Sequence, residues 1–193
     1  MWTENEIEDY LKKKLKPSRF EHSLGVRDSA EALASKYGGN VNKARIAGLI
    51  HDCGKNLSDA AILSLLKDNN YKITDIIYAS PQLMHGLAGA IISKEIFKVK
   101  DKEILNAVTY HTIGRKKMTL LDKIIYLADF IEPGRLFPEV ENLRKATDIN
   151  IETALLLAFD TTINFVIEKG EIIHSNTIDA RNELILLKDF RGK

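Results

Sequence analysis

The chain has 193 residues, 45% of them hydrophobic and 28% charged, with a formal net charge of +1 and one cysteine, Cys53. Length and apolar share fit a single soluble domain with a sizeable core. The near-neutral charge argues against a nucleic-acid polymer as partner, the lone cysteine excludes an internal disulfide and fits a reducing compartment, and no apolar run approaches a membrane span.

The opening segment MWTENEIEDY is acidic and lacks a signal pattern, so the expected location is the cytoplasm. Thr3 with Glu6 has capping-box spacing and opens a short first helix that Pro17 closes. Ser18 with Glu21 repeats the spacing and opens a second, in which Phe20, Leu24, Ala30, Leu33, Ala34 and Tyr37 recur at helical intervals until Gly38 and Gly39 end it. A third helix is expected over about Asn42–Cys53; Ser58 caps a fourth over DAAILSLLKDN, and a short one runs through ITDIIYA. Ser80 with Pro81 opens QLMHGLAGAIISKEIF, Asp101 caps KEILNAVTYH, and Thr119 caps LLDKIIYLADFI, which Pro133 and Gly134 stop. Asp148 opens the long INIETALLLAFDTTINFVIEK, stopped by Gly170, and a last amphipathic helix spans about Asn176–Lys188. Only EIIHS reads as extended. The expectation is a compact all-α helical bundle, one domain across 1–193 with a motif-bearing core at about 18–177.

Of the five histidines, His22, His51, His85 and His111 sit among apolar neighbours in or at the ends of predicted helices, as in FEHSL, LIHD, LMHGLAG and TYHTIG. Asp129 sits in the equally apolar YLADFIEPG. A lone helical histidine is ordinarily a satisfied core or surface residue. Several of them, with Asp52 and Asp129, on successive helices of one bundle can converge on a metal centre. Imidazole and carboxylate without thiolate suit iron, manganese, zinc or nickel, and the sequence does not choose among them. Cys53 points about 100° away from Asp52 on a helix and reads as packing. Adjacent His51 and Asp52 both reach an ion only at a helix terminus, or where one ligand bridges two ions. Lys55 shares their face if the helix continues past Gly54; otherwise it is a solvated lysine at a helix end.

The order His22, then His51–Asp52, then distant Asp129 resembles the HD-domain metal-dependent phosphohydrolases. RFEHSLGV, AGLIHDCGK, HGLAGA, YHTIG and YLADFIEPGR together resemble the YqeK family, HD-type bis(5′-nucleosyl)-tetraphosphatases that cut symmetrically; the likeness runs from about Ser18 to IHSNT. It implies an all-α HD fold and hydrolysis of diadenosine tetraphosphate to two ADP, with ADP or GDP binding as product. It implies one or two divalent or iron ions, iron being favoured, held by His22, His51, Asp52 and Asp129. His85 and His111 then either complete a second metal position or bind phosphate oxygens, and Asp52 and Lys55 take part in catalysis. Arg19, Lys55 and Arg135 are the expected phosphate cations and Thr112 a hydroxyl for phosphate or sugar. His174, Ser175, Asn176 and Thr177 are expected to close over the nucleoside, though helix capping explains IHSNT nearly as well. Arg27, Arg115, Lys116 and Lys117 read as solvated surface. An isologous dimer is common for enzymes this small, but the sequence names no surface for it. The competing readings are an HD hydrolase of mononucleotides or cyclic dinucleotides, and a non-catalytic nucleotide sensor.

Overall fold

Side-chain caps set most of the helix starts. The structure is a computed structural model and describes residues 1–191, so the last two residues of the expected domain lie outside the described residues. Its elements are α1 (Glu4–Lys14), α2 (Pro17–Tyr37), α3 (Val41–Ile50), α4 (Asp59–Asp68), α5 (Asp75–Ala79), a 3₁₀ segment (Pro81–Met84), α6 (His85–Glu95), α7 (Lys102–Tyr110), α8 (Leu120–Ile131), α9 (Val140–Ile149), α10 (Ile151–Glu168) and α11 (Ser175–Arg191). No strand occurs among the described residues, and the chain is an all-α bundle. Thr3 with Glu6 and Thr119 with Asp122 form full capping boxes, and Ser58 and Asp101 cap α4 and α7. Gly38, in the left-handed region at φ 71°, ends α2.

Several boundaries differ from the sequence reading. Pro17 does not close α1; it begins α2, where its fixed φ suits the first turn, and Ser18 lies inside that helix and does not cap it. The chain α-helix of α3 stops at Ile50, before Cys53. PQLM after Ser80 is 3₁₀ before α6 begins at His85, and Ser80 makes no side-chain cap. Asp148 lies within α9, a helix the punctuation did not predict, and Asn150 caps α10. EIIHS pairs with no strand.

The main core gathers Val26, Leu49, Ile50, Ile124, Tyr126, Leu127, Leu155 and Phe159, with Ile7 and Leu11 of α1. A smaller cluster of Ile62, Leu66, Met84, Ala88, Ile91 and Ile113 lies beneath α4 and α6. Two glycines let the site-bearing helices approach. A Cβ on Gly48 would lie 2.9 Å from Arg27 Cα, so α3 packs directly on the α2 backbone. A Cβ on Gly86 would lie 2.7 Å from the Thr109 carbonyl, so α6 packs as closely on α7. These contacts bring His22 near His51 and His85 near His111.

Candidate metal centre

The side chains of His22, His51, Asp52, His85, His111 and Asp129 meet in one buried cluster. His51 follows α3, His85 begins α6 and His111 follows α7, so three helix ends supply imidazoles while α2 and α8 supply His22 and Asp129. Past Ile50 the chain turns with bonds from Cys53 N–H to Ile50 O and from Lys55 N–H to Asp52 O. That tight turn is why adjacent His51 and Asp52 can both face the centre, and why Lys55 stays beside them. Asp52 spans the cluster. Its Oδ2 lies 3.5 Å from His51 Nε2 and 3.8 Å from His22 Nε2, and its Oδ1 lies 3.1 Å from His85 Nε2 and 3.5 Å from His111 Nε2. Asp129 Oδ1 lies 3.0 Å from His22 Nε2 and 3.9 Å from His51 Nε2.

Hydrogen bonds behind the rings fix their tautomers. The Nδ1–H groups of His51, His85 and His111 donate to the carbonyls of Gly48, Gln82 and Val108 at 2.7, 2.6 and 2.7 Å. His22 Nδ1–H donates to Glu132 Oε1 at 3.0 Å. Each neutral ring therefore carries its lone pair on Nε2. The His22 and His51 Nε2 atoms lie 3.2 Å apart, and those of His85 and His111 lie 3.1 Å apart. Lone pair faces lone pair in both, with carboxylate oxygens alongside. Thr112 Oγ1 reaches both His85 and His111 Nε2, at 3.1 and 3.2 Å, but its single proton serves only one of them. Asp52 Oδ1 is buried and makes no hydrogen bond of adequate geometry despite the nearby ring. Such an arrangement is unfavourable unless a cation lies among the donors. Two overlapping donor sets, His22–His51–Asp129 and His51–Asp52–His111, are close enough to hold metal. All are nitrogen and oxygen donors, and each ring has the outer hydrogen bond typical of a metal ligand.

The charges follow the same pattern. Burial alone would push Asp52 up, but the surrounding His51, His111 and His85 rings hold it well below the usual carboxylate range. Burial is outweighed at Asp129 too, by the neighbouring His22 and His51 rings and the charge of Arg135. Burial pushes His85 down, which favours its neutral form. It also pushes Lys55 down, helped by Arg19 and Arg135 and opposed by Asp52 and Asp129.

The HD domain family matches residues 19–134. The symmetrical bis(5′-nucleosyl)-tetraphosphatase of Halalkalibacterium halodurans is 34% identical over 176 residues, covering 91% of this chain and 94% of its own. The protein of that name from Bacillus subtilis is 33% identical over 175 residues, with 91% and 94% covered. The chain belongs to the HD family, alongside the symmetrical bis(5′-nucleosyl)-tetraphosphatases. A Clostridium acetobutylicum crystal structure, described as an HD superfamily hydrolase involved in NAD metabolism, matches with a TM-score of 0.93 at 49% identity, covering 96% of this chain and 98% of that one. An HD domain holds a divalent metal ion, and this cluster offers the donors for it.

Of the remaining expected residues, Arg19, Lys55, Thr112 and Arg135 contact the HD cluster. Arg19 pairs with Asp52 Oδ2 at 2.7 Å, and Arg135 with Asp129, donating also from Nε to the Asp129 carbonyl at 2.7 Å. Lys55 Nζ lies 3.4 Å from His85 Nδ1. A cleft of about 530 Å³ joins Lys55, His85 and Thr112 to His174 and Thr177. IHSNT does cap a helix, through His174: its Nδ1 accepts the Asn176 N–H at 3.1 Å. The Thr177 hydroxyl is committed to the Ile113 carbonyl at 2.9 Å, and Ser175 is exposed. Cys53 packs against the core and donates to the Gly89 carbonyl, and burial pushes its thiol up to about 12. Two arginines read as solvated are not. Arg115 bonds the buried Asp122 at 2.6 Å and stacks over Tyr110, and Arg27 bonds Glu8 at 2.9 Å.

Glu132 was not among the expected site residues. It is 4% exposed, and its second oxygen accepts the Gly134 N–H at 2.6 Å. Gly25 leaves room for it, since a Cβ there would lie 2.6 Å from Glu132 Oε2. Its signal was its place three residues after Asp129, on the same helical face.

Proposed function

We propose that this chain is a metal-dependent hydrolase that cuts diadenosine tetraphosphate symmetrically into two ADP. One observation carries the reading: Nε2 atoms with committed tautomers converge, lone pair to lone pair, on Asp52 and Asp129. The name shared by the relatives supports the substrate class. We assign His22, His51, Asp52 and Asp129 to one ion, and His85, His111 and Asp52 Oδ1 to a second, because neutral rings presenting lone pairs suit a cation better than a phosphate oxygen. Iron is our assignment on the family resemblance; elemental analysis of the purified protein tests it. Loss of one ion of two in His111→Ala, with the helices intact, is the expected result for the second position.

When bound, the ion supplies Lewis acidity for water and for phosphate oxygen. Asp52, between both ring pairs, orients the attacking water. The water oxygen bonds to the second phosphorus from one nucleoside, the bridging P–O bond beyond it breaks, the second ADP leaves with that oxygen, and the protons pass to solvent. Arg19, Lys55 and Arg135 hold phosphate oxygens and offset the developing charge. Thr112 donates to phosphate or sugar, and His174 with Ser175, Asn176 and Thr177 borders the nucleoside of the first half.

The test is hydrolysis of diadenosine tetraphosphate by metal-loaded protein, with products separated by ion exchange. ADP alone is expected. A mixture of ATP and AMP would refute the position of the cut. No turnover with any metal would overturn the reading.

A further inference from the structure

We propose that the cleft between α8 and α10 seats the second nucleoside of the dinucleotide; this rests on the hydrolase reading above. Three clefts among the described residues meet the HD cluster. The first, of about 530 Å³, reaches it at His85 and Thr112 and carries His174. The second, of about 590 Å³, reaches it at Asp129 and Arg135, and its walls include Phe130, Phe137, Leu157 and Phe165. The third, of about 730 Å³ beside His22, is lined largely by charged side chains such as Arg19, Glu21, Arg27 and Asp28.

A purine needs a flat apolar surface to stack on, and exposed aromatic rings provide it. The second cleft has the exposed Phe165 and the half-buried Phe130 and Phe137, the last two meeting edge to face at 6.1 Å. No phenylalanine, tyrosine or tryptophan lines the third. A cut between the two middle phosphates leaves equal halves, so both nucleosides lie equally far along the chain from the attacked bond. A site that makes this cut requires two seats at similar reach from the ions. The first and second clefts meet that demand. One opens on the His85 side of Asp52 and the other on the Asp129 side, and each has a cation at its inner end, Lys55 or Arg135. Thr162 and Phe165 of α10 line both. Phe165 is 55% exposed, which core packing does not explain and contact with two bound nucleosides would.

The experiment compares two substrates cut at the same bond. Diadenosine tetraphosphate carries both nucleosides; adenosine 5′-tetraphosphate, cut to ADP and pyrophosphate, lacks the second. In metal-loaded Phe137→Ala, and separately in Thr161→Trp, which fills the cleft from α10, the ratio of kcat/KM for the dinucleotide to that for the mononucleoside falls by about tenfold, the loss expected for one base stack. A general structural defect lowers both substrates together and leaves the ratio unmoved. An unmoved ratio in both variants therefore overturns the second seat, while the hydrolase reading survives so long as the unaltered protein still releases ADP from the dinucleotide. An unaltered protein that cuts neither substrate overturns both.

Discussion

Each inward-facing ring nitrogen depends on the acceptor behind it. For His51, His85 and His111 that acceptor is a backbone carbonyl three residues earlier, which no substitution removes. His22 instead relies on Glu132, whose two oxygens accept from His22 Nδ1 and Gly134 N. Glutamine has one oxygen and one amide, so Glu132→Gln turns one of those contacts into donor against donor. Metal affinity should fall about 10–100-fold, the usual effect of losing a ligand's outer partner, with helix content unchanged. Competitive metal titration followed by circular dichroism checks both parts; unaltered affinity would remove Glu132 from the site. The residues that converge on the cluster were legible in the chain because His and Asp are out of place among apolar neighbours. Glu132 was not, because a glutamate before Pro-Gly reads as an exposed helix end, and only the fold reveals that Gly25 clears space to bury it.

Helix ends and helix contacts hold the ligands at the next scale. Gly86 follows His85 directly, and a Cβ there would lie 2.7 and 2.8 Å from the carbonyls of Thr109 and Val108, backbone atoms that cannot swing aside. Gly86→Ala must therefore push α6 away from α7, separating His85 from His111. The expected cost is about 1–3 kcal/mol of stability, as for other overpacked cores. Metal retention falls with it, read by urea unfolding and elemental analysis; full stability would mean the two helices are not tightly seated. The HGLAGA segment was visible in the sequence as a motif, but its physical reason was not, since no local pattern states which backbone a glycine will touch. α9 was missed for another local reason: its N-cap, Glu139, makes no side-chain cap, so the punctuation that marked other helices is absent. At α11 the start is set by His174, whose Nδ1 must be unprotonated to accept from Asn176. Burial lowers the His174 pKa from its ordinary 6.5. A depressed histidine adds stability above its unfolded pKa and loses it as pH falls through the folded value. His174→Ala should thus cost about 1 kcal/mol at pH 8, as for loss of other caps, and progressively less as the medium is acidified below about pH 6.5. Urea titrations of both proteins across that range test the sign; a deficit that grows on acidification would exclude the cap.

At the scale of the whole molecule, the cluster joins elements that the hydrophobic core already packs, but it joins them through groups that repel. α2, the ends of α3 and α7, the start of α6, and α8 all direct nitrogen lone pairs or carboxylate oxygens into one buried volume. Without a cation these opposed acceptors and the unpartnered Asp52 Oδ1 act against the apolar packing that brings them together. With one, the same atoms become ligands shared by five helices. An ion that binds only the folded chain stabilises it by RT ln(1 + [L]/Kd), about 4 kcal/mol at a thousandfold excess over Kd. For a domain of this size each kcal/mol moves Tm by about 2–4 °C. Stripping the metal with a chelator should therefore lower Tm by roughly 10 °C, and restoring it should return that amount. Asp52→Ala removes the carboxylate common to both ring pairs and also one source of the repulsion. Its apo form should melt no lower than the apo parent and gain little on adding metal. Calorimetry of the four samples separates the cases. An apo parent that melts with the holo protein would mean the core alone sets stability and the centre contributes only chemistry, whereas a Tm gain that vanishes in Asp52→Ala assigns the centre a part in holding the bundle together.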